Sequence, residues 1–125
     1  FPEAFQLTAY FLEGELIGYY TTIHNHAEIE AHFLGFDYEK NRTCQTYLNF
    51  LYDIIKEGID HPEVNQIVFA RTALEIKSSV GAVPEQMYFY ARHRSSLSNR
   101  ILTPMVGYLQ PKELEWVQRS PFKEK

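Results

Sequence analysis

At 125 residues the chain is the size of one domain, long enough to bury about two thirds of the surface its unfolded form exposes. With 45% hydrophobic and 15% aromatic residues it can build a packed core, which excludes a disordered chain. A formal charge of −4 excludes a general nucleic-acid binder, which carries a basic excess.

The lone Cys44 rules out an internal disulfide and fits a reducing compartment, the cytoplasm being the expectation. No run approaches the roughly 18 apolar residues that a membrane-spanning helix needs. Phe1 opens the chain without Met and in mid-pattern, so a piece of a longer protein is expected. Charge is unevenly spread. Arg92, His93, Arg94 and Arg100 lie close together, while Glu13, Glu15, Glu28 and Glu30 come early. The ordinary account of both groups is a solvated surface.

Taken in order, Phe5 to Ile23 predicts a β-hairpin. Phe5, Leu7, Ala9 and Phe11 alternate with Gln6, Thr8 and Tyr10, and Tyr19 to Ile23 is rich in strand formers. Gly14, between Glu13 and Glu15, can take the positive φ of a tight turn. Apolar residues on both faces of the hairpin predict partial cover on each side. His24-Asn25-His26 closes it, and Ala27 to Glu30 leads into a strand, Ala31 to Phe36, too short and too apolar for a surface helix.

A polar loop, Asp37 to Arg42, is expected next. From Tyr47 the period changes: Tyr47, Leu48, Leu51, Ile54 and Ile55 form one face of a helix. Asn41 or Thr43 can cap its start, and Gly58 is expected to stop it in the left-handed conformation. Strand, loop and helix N-terminus would then aim unpaired N–H groups and a positive dipole end at an anion.

Asp60-His61-Pro62 breaks the chain, and Val64 to Arg71 reads as a central strand. Thr72 to Ser79 is expected to be a short helix with Thr72 as N-cap and Glu75 at the capping-box position. Gln86 to Arg92 alternates as a strand. Ser95 then caps a last helix, which Pro104 must kink or divide and Pro111 ends. The charged tail, 112–125, has Trp116 as its anchor, so the expected organisation is one domain over 1–111 plus that tail. The predicted order is β-β-β-α-β-α-β-α, an α/β (α+β) domain with a mixed sheet and flanking helices.

That order resembles the C-terminal two thirds of a GNAT-superfamily acyltransferase, within the branch of FemAB-type and cellulose-biosynthesis-associated acetyltransferase-like proteins. Three pieces carry the resemblance: HFLGFDYEKNRTCQTYLNFLYDIIKEG, IVFARTALEIKSSVGAVPE and MYFYARHR, together covering roughly 31–94. The front of the fold would lie upstream of Phe1. The resemblance implies transfer of an acyl group, in the first instance from acetyl-CoA or a related carrier, to an amine acceptor. It implies that Leu34, Gly35 and Phe36 pair with the extended carrier arm, that a backbone N–H near Leu34 or Gly35 stabilises an oxyanion, and that Asn41, Arg42 and Thr43 hold phosphates. The loop departs from the family pattern, since Glu39 to Gln45 contains no glycine.

Each candidate has a plainer account beside the functional one. Asn41, Arg42 and Thr43 suit an anion cradle or an ordinary cap with a surface arginine. Glu28 and Glu30 could take the amine's proton or simply face solvent, and His24, His26 and His32 are alternative bases with the right intrinsic pKa. Lys77 could meet a substrate carboxylate or phosphate, or be a solvated helical lysine. Tyr90, with Tyr88, could protonate a departing thiolate or pack. Cys44 beside a helix N-terminus is the remaining nucleophile candidate, and no metal site is expected. A catalytically silent binding domain, or a homodimer formed through the aromatic hairpin, is the competing reading.

Overall fold

The computed structural model describes residues 4–70, 72–88, 90–109 and 116–122. Three antiparallel-linked strands come first: β1 (Phe5–Leu12), β2 (Glu15–Asn25) and β3 (Glu28–Phe36). Two helices follow, α1 (Tyr38–Cys44) and α2 (Thr46–Asp60), then β4 (Gln66–Phe69), α3 (Leu74–Ser78) and α4 (Ser96–Leu109). The sheet is mixed and four-stranded in the order β1-β2-β3-β4, with β4 parallel to β3. The domain is therefore α+β, with α2 as the crossover between its two parallel strands.

The hairpin forms as its sequence predicts. Glu13 and Gly14 both take positive φ, 53° and 87°, the pattern of a type I′ turn whose twist matches the strands it joins. The second hairpin turns at His26-Ala27, because β2 runs on to pair Asn25 with Glu28. Register divides the sheet into two faces. Thr8–Tyr20, Tyr20–Leu34, Thr22–Ala31 and His24–Ile29 lie on the face that α2 covers. Phe5, Leu7, Phe11 and Leu16 lie on the other and are exposed, although Thr21 on that face is buried among its neighbours.

The apolar stripe of α2 buries Tyr47, Leu51 and Ile54, as its spacing predicts, while Leu48 and Ile55 are half-buried and Phe50, outside the predicted face, is fully buried. Phe50 sits at the centre, its ring 4.8 Å from Tyr10, 5.4 Å from Tyr20 and 6.5 Å from Phe36. Burying side chains of this size contributes roughly 1.5–3 kcal/mol each. Gly18 makes the seat: a Cβ there would lie 2.7 Å from the Phe50 ring and 3.1 Å from the Gly35 carbonyl.

Several expectations are corrected. Tyr38 to Arg42 is helix rather than loop, because the Asp37 side chain caps it by accepting from Glu39 and Lys40 N–H at 2.8 and 3.2 Å. Gly58 does not stop α2; it lies inside the helix, where a Cβ would meet Ile67 Cδ1 at 2.6 Å, so close approach to β4 is what requires it. β4 is shorter than predicted and stands at the sheet edge, since its apolar run reports burial by α2 rather than a strand on each side. α3 begins at Leu74 with Ala73 at φ 57°, so Thr72 is not its cap.

The described residues of 86–92 form no strand; Phe89 lies outside them, as does Pro111. α4 runs through Pro104 undivided, and its first bond goes from Asn99 N–H to the Ser95 carbonyl at 3.1 Å. Trp116 is half-buried, and the tail is held on α3 by Arg119, whose N–H donates to Ser78 Oγ at 2.9 Å and whose guanidinium pairs with Glu75 at 2.6 Å.

Gly18→Ala is expected to destabilise the domain by about 1–3 kcal/mol through overpacking against the immobile Phe50 ring. Urea unfolding checks it; an unchanged midpoint would show that α2 has room to move.

Candidate functional site

β3 changes character half-way along. Between the pairs Thr22–Ala31 and Tyr20–Leu34, Thr21 alone faces His32 and Phe33, which is a β-bulge. The Thr21 hydroxyl closes it, accepting from Phe33 N–H at 2.9 Å and donating to the Phe33 carbonyl at 3.2 Å. At the same point β3 loses its other neighbour: the last pair with β4 is Ala31–Phe69. From His32 to Phe36 the strand is thus paired to β2 on one edge and, among the described residues, to no strand on the other.

Two bonds fix which groups face the open edge. Phe33 N–H goes to Thr21, and Asp37 N–H goes to the Ile17 carbonyl at 2.9 Å, both toward β2. Amides alternate in direction along a strand. Leu34 and Phe36 therefore turn their N–H and C=O groups outward, and Gly35 turns inward beneath the Tyr19 ring, where a Cβ would lie 2.8 Å from Tyr19 Cε1.

At the end of β3 the chain makes two helices instead of one open helix mouth. Gln45 joins them at φ 49°, and Asn41 does cap α2, its Oδ1 accepting from Tyr47 N–H at 2.9 Å. That bond uses a donor that an anion would have needed, and Asp37 uses two more at the start of α1. Three of the backbone donors at the two helix starts, those of Glu39, Lys40 and Tyr47, are therefore taken by the chain's own side chains. Arg42 and Thr43 remain exposed beside it, and Lys40 lies 3.9 Å from Glu15.

Glu28 and Glu30 are exposed on the sheet face opposite α2, whereas Leu34 and Phe36 project toward α2. Tyr90 is 90% exposed and Tyr88 is also exposed, both outside any element. Lys77 is buried, not solvated, and its amine donates to the Ala70 carbonyl. Burial pushes that amine below its ordinary pKa. His32 stacks on Phe33 at 4.2 Å in solvent, and Cys44 is free and half-buried. Among the described residues no group of three His, Cys, Asp or Glu is placed to hold a metal ion.

Sequence reasoning missed a second constellation at the far end of α2. His24 projects on the helix-covered face, and its Nε2 lies 2.7 Å from Glu57 Oε1. Glu57 is nine-tenths buried, and its Oε2 has no partner among the described residues. His61 Nδ1 donates to the Glu57 carbonyl at 2.8 Å, closing the helix, and its ring stands 5.6 Å from that of His24. Beside them opens a cleft of about 240 Å³ lined by Gln6, Tyr20, Asp53, Lys56, Glu57, Asp60 and His61. Burial foremost, and the nearby Glu57 charge, raise the Tyr20 phenol pKa, with a Thr8 bond opposing. The sequence signal was there in Asp53, Glu57 and Asp60, which recur at helical spacing along one side of α2.

Set beside protein-family models, curated proteins and solved structures, the chain matches none. Function must therefore be argued from the residues themselves.

His24→Ala strips Glu57 of its one side-chain partner while leaving it buried. The expected cost is about 1–3 kcal/mol, read as a lower urea midpoint; a change within experimental error would mean that water already serves Glu57.

Proposed function

We propose that this domain transfers an acyl group, acetyl in the simplest case, from acyl-CoA or a related thioester carrier to an amine. The observation that carries this reading is the open edge of β3 beyond Ala31, which leaves the Leu34 and Phe36 amides directed away from β2. An extended carrier arm bearing amide groups can add there as a further strand, main chain to main chain. The resemblance of 32–58 to the GNAT-superfamily strand and helix supports the same placement.

In this reading the carrier lies along Leu34 to Phe36, with Gly35 between them. The Leu34 N–H is the donor best directed at a thioester oxygen as negative charge develops on it. The amine nitrogen attacks the carbonyl carbon, the carbon–sulfur bond breaks, and the amine's proton ends on the departing sulfur. No role is assigned in it to Glu28 and Glu30, which face solvent on the sheet face opposite α2, or to the exposed Tyr90. With Asn41 committed to α2, the carrier's phosphates fall to the side chains of Arg42, Thr43 and Lys40. A guanidinium contact of this kind contributes about 1.5–3 kcal/mol. Cytoplasmic residence belongs to the same proposal, as the compartment where acyl-CoA would be met.

The capped helix mouths favour a second reading, a domain of the same architecture that binds a ligand or partner without catalysis. Self-association through the exposed Phe5, Leu7, Phe11 and Leu16 is its simplest form.

Calorimetric titration with acetyl-CoA separates the two. The transferase reading expects saturable binding, weakened about ten- to a hundredfold in Arg42→Ala. It also expects binding to vanish in Leu34→Pro, which removes an N–H facing away from β2 and leaves the β2–β3 bonds in place. A wild-type protein that binds no acyl-CoA supports the silent domain.

A further inference from the structure

The cleft beside Glu57 combines features that ordinary surface acidity does not. Asp53, Glu57 and Asp60 line it against the single Lys56, a formal charge of −2 with His61 neutral. Lys56 is already spoken for: its Nζ bonds Asp60 at 2.9 Å on the exposed rim. Asp53 accepts from the Tyr10 hydroxyl. Glu57 is the exception, held from one side by His24 and, with its Oε2 buried and unpartnered, lacking a donor on the other.

A second orphan lies on the same sheet face, outside the lining of the cleft. Thr22 Oγ1 is buried without a partner. Its residue pairs with Gln6 across the hairpin and lies between Tyr20 and His24 on the face that α2 covers. Leaving buried oxygens without donors is costly, and a native site usually supplies the missing group. The missing group here is a donor, and the surrounding charge asks that it be positive.

We propose that this cleft binds a small organic cation, a primary ammonium ion, with Glu57 as its counter-charge and His24 as the residue that orients Glu57. Three N–H donors suit a site where one carboxylate oxygen lacks a partner and further carboxylates line the wall. The Tyr20 ring beside Glu57 adds a negative π face to the lining. A metal ion is the poorer occupant, because the His and carboxylate groups do not converge into a ligand set. This site lies at the opposite end of α2 from the open edge of β3, and the inference does not rest on acyl transfer.

The test is titration of the isotopically labelled protein with propylammonium chloride, followed by NMR at His24, Tyr20 and Glu57, with 1-propanol as the neutral isostere. The expected result is a saturable shift with propylammonium, none with propanol, and at least about tenfold weaker binding in Glu57→Gln. Arg42→Ala should leave the response unchanged, which separates it from any carrier binding. If Glu57→Gln does not fold, the exposed Asp53→Asn serves instead and should weaken binding several-fold. Equal response to the alcohol, no saturable shift, or undiminished binding in the carboxylate variant would overturn the proposal.

Discussion

The Phe50 ring resting on Gly18 is the contact on which the architecture depends. Only a residue without a side chain lets α2 approach β2 so closely, and the rings of Tyr10, Tyr20 and Phe36 then close around Phe50. One seat thereby fixes a whole helix on the sheet. At its first turn α2 lies beside the end of β3, where Thr46 approaches the same glycine. At its last turns Gly58 admits Ile67, and Glu57 reaches His24. Both candidate sites are thus set by a single rigid element.

Parallel pairing explains why β3 has two characters. α2 returns the chain to β3 at its beginning, so β4 can pair only from Glu28 to Ala31. The bulge at His32-Phe33 falls where that pairing ends, and Thr21 repairs the ladder on the β2 side. An edge strand normally invites unwanted pairing. Here the exposed stretch is short and lies next to helical cover, which makes it a defined place for one extended ligand.

What was legible in the sequence follows physical range. Tyr47, Leu51 and Ile54 on α2, the Glu13-Gly14 turn and the capping bond to Asn41 are local patterns that form as expected, whereas Phe50 falls outside the face that the spacing implies. Leu34 to Phe36 could be read as strand, but not as an open edge, because an edge is defined by where a distant strand stops. Tyr38 to Arg42 reads as loop because a short helix has almost no period; the capping carboxylate of Asp37 is the available clue. The alternation of 86–92 misled for the opposite reason, since a period of two needs a partner strand to become one. His24 and Glu57, 33 residues apart, meet only through the fold. Lys77 looked solvated because charge predicts exposure, yet its amine finds the Ala70 carbonyl inside.

The central claim is that β3 is paired on both edges up to Ala31 and on one edge thereafter. Residue-resolved hydrogen exchange of the native protein measures this directly. The account predicts that the Gly35 and Asp37 amides are protected while Leu34 and Phe36 exchange at least about tenfold faster. Equal protection of all four would mean that another part of the chain covers this edge, and the proposed carrier site would be closed.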